Sequence, residues 1–145
     1  MDIRYITPDY AVAPQIAPEN MPALAAQGFV AVINNRPDSE VTNDICDAEM
    51  RKAAEAAGLT YISNPVENGG MTMDMVQAQG RAVAETDGPV FAWCRSGTRS
   101  SIVWALSQAG LRPTAEIVEA VSAAGYDLPP LAAQIDALAA RPAET

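Results

Sequence analysis

The sequence predicts an α/β fold, a central mostly parallel sheet flanked by helices, and three observations carry that expectation. Residues 29–34 and 90–93 are short, near-continuous apolar runs, as expected for strands buried on both faces. The stretches 43–57 and 72–86 between them have helical periodicity. Strand and helix then alternate through the later half of the chain, the order that covers a parallel sheet with helices.

Taken in order, residues 3–6 and 10–16 read as short strands, and Pro8 and Pro14 place them at a sheet edge. A short helix follows, capped by Asn20, with Pro22 in its first turn and Gly28 at its end. Residues 29–34 form a central strand that gives way to the polar loop Asn35-Arg36-Pro37-Asp38-Ser39-Glu40. Ile45, Met50, Ala53, Ala54 and Ala57 share a broad apolar stripe, so 43–57 reads as a helix ended by Gly58, with Cys46 inside it as a structural thiol. Residues 59–63 are a strand leading into the loop 64–70. Thr72 or Asp74 caps the next helix, in which Gly80 is a weak interior point. Met71, Met73 and Met75 read as packing at its start rather than as a pocket wall. After the strand 90–93, helices are expected to near Gly110, over 113–123 and over 130–140. The expected organisation is a single domain over 1–140 and a frayed tail at 141–145.

Composition narrows the function. The chain has 145 residues, 49% hydrophobic and 19% charged, which fits a globular protein and argues against disorder. No apolar run is long enough for a membrane span, and the N-terminus has no basic-then-apolar signal pattern. Cys46 and Cys94 are too few for a disulfide framework, so a cytoplasmic location is expected. A net charge of −9 argues against nucleic acid or an anionic membrane as partner. An anionic substrate must instead be drawn by a local basic site, and Arg95 with Arg99 offers one. The chain contains no histidine. That excludes Ser-His-Asp and Cys-His pairs and most zinc sites, and no metal or cofactor is expected.

The candidate site is Cys94-Arg95-Ser96-Gly97-Thr98-Arg99-Ser100. An apolar strand stops at Cys94, a small polar loop follows, and a helix opens near Arg99. Loop N–H groups and the positive end of that helix form an anion cradle above the sulfur. The same field favours thiolate over thiol. A lone cysteine is more often a core filler, but this position makes Cys94 a candidate nucleophile. Arg99 is read as the anion-binding side chain, against the alternative of a helix cap paired with a carboxylate. Gly97 permits the sharp turn. Arg95, Ser96 and Thr98 line the anion, the last two through their amides.

Four stretches, 32–38, 61–66, 88–100 and 124–128, resemble the phosphatase-like domain family that occurs alone or beside metallo-β-lactamase-type domains in β-lactamase-hydrolase-like proteins (the DUF442 family). The resemblance covers about 15–128. It implies a dual-specificity-phosphatase-like fold with a four- or five-stranded sheet, and a metallo-β-lactamase-type partner in sulfur metabolism. It also implies site-lining roles for Arg36 and Asp38, and for Ser100 as the hydroxyl that stabilises a leaving thiolate. The loop departs from tyrosine-phosphatase-like enzymes, which begin it with His-Cys and set five residues between Cys and Arg. Here Trp93 precedes the cysteine and four residues separate it from Arg99. The shorter loop resembles rhodanese loops, which carry sulfur as a cysteine persulfide. A phosphatase also needs a general acid, and Asp38 or Glu67 are the carboxylates on offer.

The first expectation is therefore a rhodanese-like sulfurtransferase that moves sulfur from thiosulfate or a persulfide, through Cys94, to a thiol acceptor or cyanide. The alternative is a phosphatase acting through phosphocysteine. The third is a non-enzymatic anion-binding or redox-sensing module. In every case the ligand is a small sulfur or phosphate anion.

Overall fold

The computed structural model describes residues 1–140. The expected frayed tail at 141–145 lies outside the described residues. Five strands form one sheet: β1 (Arg4–Thr7), β2 (Tyr10–Ala13), β3 (Ala31–Asn34), β4 (Thr60–Ser63) and β5 (Val90–Trp93). Their spatial order is β1-β2-β5-β3-β4, with β1 antiparallel to β2 and the other pairings parallel. Every residue of β2, β3 and β5 is buried, as a parallel sheet covered on both faces requires.

Alternate residues feed two cores. Tyr10, Val12, Ile33, Val90 and Ala92 face one side and pack with Trp104, Ile117, Val121, Leu131 and Ile135. These come from helices α4 (Thr98–Ser107), α5 (Thr114–Ala123) and α6 (Leu131–Ala139). Ala11, Ala13, Val32, Phe91 and Trp93 face the other side. They meet Met21 and Leu24 of helix α1 (Met21–Ala26) and Met50 and Ala54 of helix α2 (Asp47–Ala56). Helix α3 (Met73–Glu85) packs on α4. A Cβ at Gly80 would lie 2.9 Å from Ser107 Cβ, so the glycine in α3 is what lets the two helices approach. Among the described residues no helix is long and apolar enough to cross a membrane.

Three local expectations change. Tyr10–Ala13 lies inside the sheet, between β1 and β5, because Pro8 and Pro14 fall outside the strand and leave its ladder intact. The predicted helix over 43–57 begins at Asp47: residues 43–45 form a separate 3-10 turn, and Cys46 is extended at ψ 166° ahead of α2. Asn20 caps no helical N–H; its side chain instead accepts the N–H of Ala17 at 2.8 Å.

Under the carboxyl ends of the strands lies a buried polar cluster. Gln79 of α3 accepts from Asn35 and Asn64 Nδ2, both at 2.9 Å, and donates to Tyr10 Oη at 3.0 Å and Asn35 Oδ1 at 3.1 Å. Ser100 Oγ donates to Asn35 Oδ1 at 2.8 Å, and Tyr10 Oη donates to the Ser100 carbonyl at 2.8 Å. Both donors and both lone pairs of the Gln79 amide are used, which is what makes its complete burial tolerable. Burial pushes the Tyr10 phenol well above its usual range, so it remains a donor.

Gln79→Leu is expected to leave polar groups of three elements unpaired, costing about 3 kcal/mol and about 10 °C in Tm. Thermal melting of the variant checks this, and an unchanged Tm would mean that the cluster is not a supporting element.

Candidate active site

The strand register brings the site together. Trp93 aligns with Ala13 and Asn34, so β2, β3 and β5 end level and Pro14, Asn35 and Cys94 follow at one edge. This is the carboxyl edge of the parallel strands, where open α/β sheets bind ligands. Cys94 is fully buried, and the Gly97 N–H donates to its Sγ at 3.1 Å. Gly97 stands immediately before α4 at φ +92°. A Cβ there would also collide with the Tyr126 hydroxyl, so glycine is required by both backbone and space. That hydroxyl donates to the Ser96 carbonyl at 3.0 Å, and the Gln15 N–H donates to the Arg95 carbonyl at 3.2 Å. The loop carbonyls are thus tied to the scaffold while a loop amide turns to the sulfur. Burial raises the Tyr126 phenol, with Arg4 opposing, so it persists as a donor.

Arg99 sits on the first turn of α4 and is nearly buried. Its Nη1 and Nη2 donate to Glu40 Oε2 and Oε1, both at 2.7 Å, and Nη1 also donates to the Val66 carbonyl at 2.7 Å. Of its five N–H donors, Nε–H and one Nη2–H stay free of these contacts, and they form one edge of the fork. The guanidinium is held above its ordinary value first by Glu40, with burial opposing and the nearby Cys94 adding to the rise. Glu40 also receives Arg36 Nε at 3.3 Å, and its backbone carbonyl accepts Arg36 Nη2 at 3.1 Å. Arg99 foremost, and then Arg36, hold the Glu40 carboxyl below the usual carboxylate range against the effect of partial burial.

Above the loop opens a cleft of about 970 Å³. Arg95, Ser96, Thr98 and Arg99 line its polar end together with Glu67; the rest is mainly apolar, with Met71, Met73, Val76, Ile102, Leu106 and Leu138, and includes the uncharged polar Asn68, Thr72 and Gln134. The arrangement can hold an anion between the loop, the start of α4 and Arg99, with a nucleophile beneath it and a carboxylate at the rim.

The family model described as "Beta-lactamase hydrolase-like protein, phosphatase-like domain" matches residues 2–111. The chain belongs to this family. A β-lactamase hydrolase-like protein of Agrobacterium fabrum is 37% identical over 117 residues, 79% of this chain and 27% of that protein. The chain therefore spans about a quarter of the length of such relatives. A candidate phosphatase from Neisseria meningitidis has a structure with a TM-score of 0.81 and 28% identity, covering 95% of this chain and 99% of that one. A DUF442 protein from Shewanella putrefaciens has a TM-score of 0.75 at 21% identity, covering 96% and 89%. The fold is dual-specificity-phosphatase-like. The relatives named here lend nothing to sulfur transfer and fit the phosphatase alternative better.

Within this phosphatase-like domain the structure brings together Cys94, Gly97, Thr98, Arg99, Arg95 and Ser96. It separates three other expected residues from the anion. Asp38 is exposed, and its Oδ1 accepts the Asp47 N–H at 2.7 Å, which makes it the cap of α2. Arg36 clamps Glu40 and donates to Gln15 Oε1 at 3.3 Å instead of lining the cleft. Ser100 is fully buried and its hydroxyl is spent on Asn35. Met71 and Met73, expected as packing, are cleft wall. Trp93, in the place of the phosphatase histidine, packs near Phe91 and Tyr61, and its buried Nε1–H has no partner among the described residues. Sequence reasoning missed Glu40 and Tyr126 altogether. The sequence signal for Glu40 is the alternative reading of Arg99 as a residue paired with a carboxylate, and the structure shows that pairing.

Glu40→Ala is expected to free Arg99 and lower turnover or anion affinity at least tenfold. Because the folded carboxyl is depressed, its stabilisation is complete above its unfolded value near pH 4.3. That stabilisation disappears as pH falls through the lower folded value. The Tm of the wild type should thus fall more steeply than that of Glu40→Gln below about pH 4; parallel curves would remove Glu40 from the acid response.

Proposed function

We propose that this domain hydrolyses phosphate monoesters through a Cys94 phosphocysteine. The observation that carries the reading is that the buried Cys94 sulfur accepts the Gly97 N–H at the start of α4, close to Arg99, beside an open cleft that Arg95, Ser96, Thr98 and Arg99 line. Two phosphoryl oxygens suit the paired Nε–H and Nη2–H of the arginine, and the helix end and loop amides suit the third.

The acid is Glu67. The carbonyl of Val66 is bound to Arg99, so the residue after it is delivered to the rim of the anion site. In the first step the thiolate attacks phosphorus, the ester P–O bond breaks, and the leaving alkoxide takes the Glu67 proton. In the second, water attacks phosphorus and gives a proton to the Glu67 carboxylate. The S–P bond then breaks to return thiolate and inorganic phosphate.

One observation favours a second reading. The loop places four residues between Cys94 and Arg99, which suits a single sulfur atom carried on the cysteine better than a phosphoryl group. In sulfur transfer the thiolate attacks the outer sulfur of thiosulfate, the S–S bond breaks, and sulfite leaves with the electron pair. The Cys94 persulfide then passes its outer sulfur to a thiol.

Phosphate release from p-nitrophenyl phosphate, lost in Cys94→Ser and competitively blocked by vanadate, is the expected result. No release, with a gain of one sulfur atom in intact mass after thiosulfate that thiol reverses, would move the protein to sulfur transfer.

Glu67→Gln is expected to lower the rate of the first, phosphocysteine-forming step in single-turnover kinetics about 10²-fold on alkyl phosphates while affecting that step far less for p-nitrophenyl phosphate, since that leaving group needs little protonation. Equal losses on both would remove Glu67 as the acid.

A further inference from the structure

Beyond the anion site, the 970 Å³ cleft does not end at the first turn of α4. A second cleft of about 700 Å³ continues from it, lined by Gly80, Ala84, Ser107, Ala109, Leu111 and neighbours. Met73, Val76, Leu106 and Leu138 line both, so the two are parts of one trough between α3, α4 and α6. On the α4 side Thr98, Ile102 and Leu106 follow one another at four-residue spacing. That spacing carries the trough about 12 Å away from the anion loop. The charged residues of the lining lie toward the ends: Glu67, Arg95 and Arg99 in the cleft over the loop, Arg81 in the second. The shared segment is wholly apolar.

The cations at the loop are few. Arg99 and Arg36 share the single carboxylate of Glu40, which leaves Arg95 as the exposed positive charge of the cradle. The chain as a whole carries −9. At the loop, a substrate with several phosphates would meet, among the described residues, one arginine outside the Glu40 clamp and a surface of repulsive net charge. A substrate with one anionic head and an uncharged body meets no such penalty, and the trough offers apolar contact to that body.

We propose that the substrate is the monophosphate ester of an unbranched alkyl chain, its head on the Cys94 loop and its chain laid along α4 past Ile102, Leu106 and Leu138. The identity of the head rests on the phosphatase reading; the apolar body does not. Each methylene added along the trough contributes up to about 0.8 kcal/mol, or about fourfold, until the trough is filled.

The test is a homologous series of n-alkyl monophosphates from methyl to dodecyl, kept below their micelle concentrations. The expected result is that kcat/KM climbs about threefold or more per methylene and levels off once the chain passes Leu106. Leu138→Asp should flatten that slope. In parallel, Cys94→Ser is titrated with the matching n-alkyl phosphonates by calorimetry. Hydrolysis that proceeds with no dependence on chain length would overturn the proposal and leave the phosphatase reading intact. Phosphonate affinity that rises with chain length, without hydrolysis by the wild type, would defeat the phosphatase reading and keep the apolar body. Affinity independent of chain length would overturn the proposal, as expected if another protein segment covers the trough.

Discussion

The two-pronged pairing of Arg99 with Glu40 joins three loops that the sheet alone would leave independent. Arg99 opens α4, Glu40 ends the 3-10 turn after β3, and Val66, which accepts the same guanidinium, follows β4. A nearly buried ion pair is weak evidence for stability, because desolvation consumes much of its Coulomb gain. Its value here is geometric. With Nη1 occupied twice and Nη2 once, rotation of the fork would break contacts, so its free edge is fixed before any ligand arrives. An anion then binds without ordering the arginine, the saving that preorganised sites exploit.

The clamp works from above and the Gln79 cluster from below. Asn35 belongs to both: its side chain meets Ser100 and Gln79, its N–H donates to the Trp93 carbonyl, and its carbonyl accepts the Val66 N–H. The sulfur therefore sits between two polar layers that Asn35 ties to the centre of the sheet. By contrast Glu67, Asn68 and Gly69 are exposed and held mainly by their neighbour Val66. The exposed segment 67–69 is held by fewer contacts to the scaffold than the cysteine loop is. Such a division suits a reaction in which the anion must be gripped throughout and the proton donor must also admit water.

What the sequence disclosed follows from how far each cause reaches along the chain. The strand, loop and helix around Cys94 lie within about a dozen consecutive residues, so burial, turn chemistry and helix start could be read together. The fully buried strands were equally plain, as continuous apolar runs. Asn43–Ile45 misled because Ile45 extends the apolar spacing of α2, while the actual start is set by Asp38 accepting the Asp47 N–H from nine residues upstream. Asp38 looked like an acid for the same reason: its carboxylate was visible and its partner was not. Glu40 and Tyr126 reach the loop only through the fold, from 59 residues before Arg99 and 30 after Ser96. Gln79 reads as an ordinary polar residue on a helix until three partners surround it with four hydrogen bonds.

The electrostatics of the site then constrain its chemistry more tightly than the count of arginines suggests. Three arginines lie around the loop, but the Glu40 carboxylate offsets one charge and is shared by two of them. The cradle thus presents a modest positive field inside a strongly acidic chain. Long-range attraction cannot gather substrate, so recognition falls to short-range groups: the Gly97 amide, the start of α4 and the oriented edge of Arg99. These reward a compact anion at one position and nothing beyond it. Any further affinity must come from the part of the ligand that is not charged, and the surface next to the loop that can supply it is apolar.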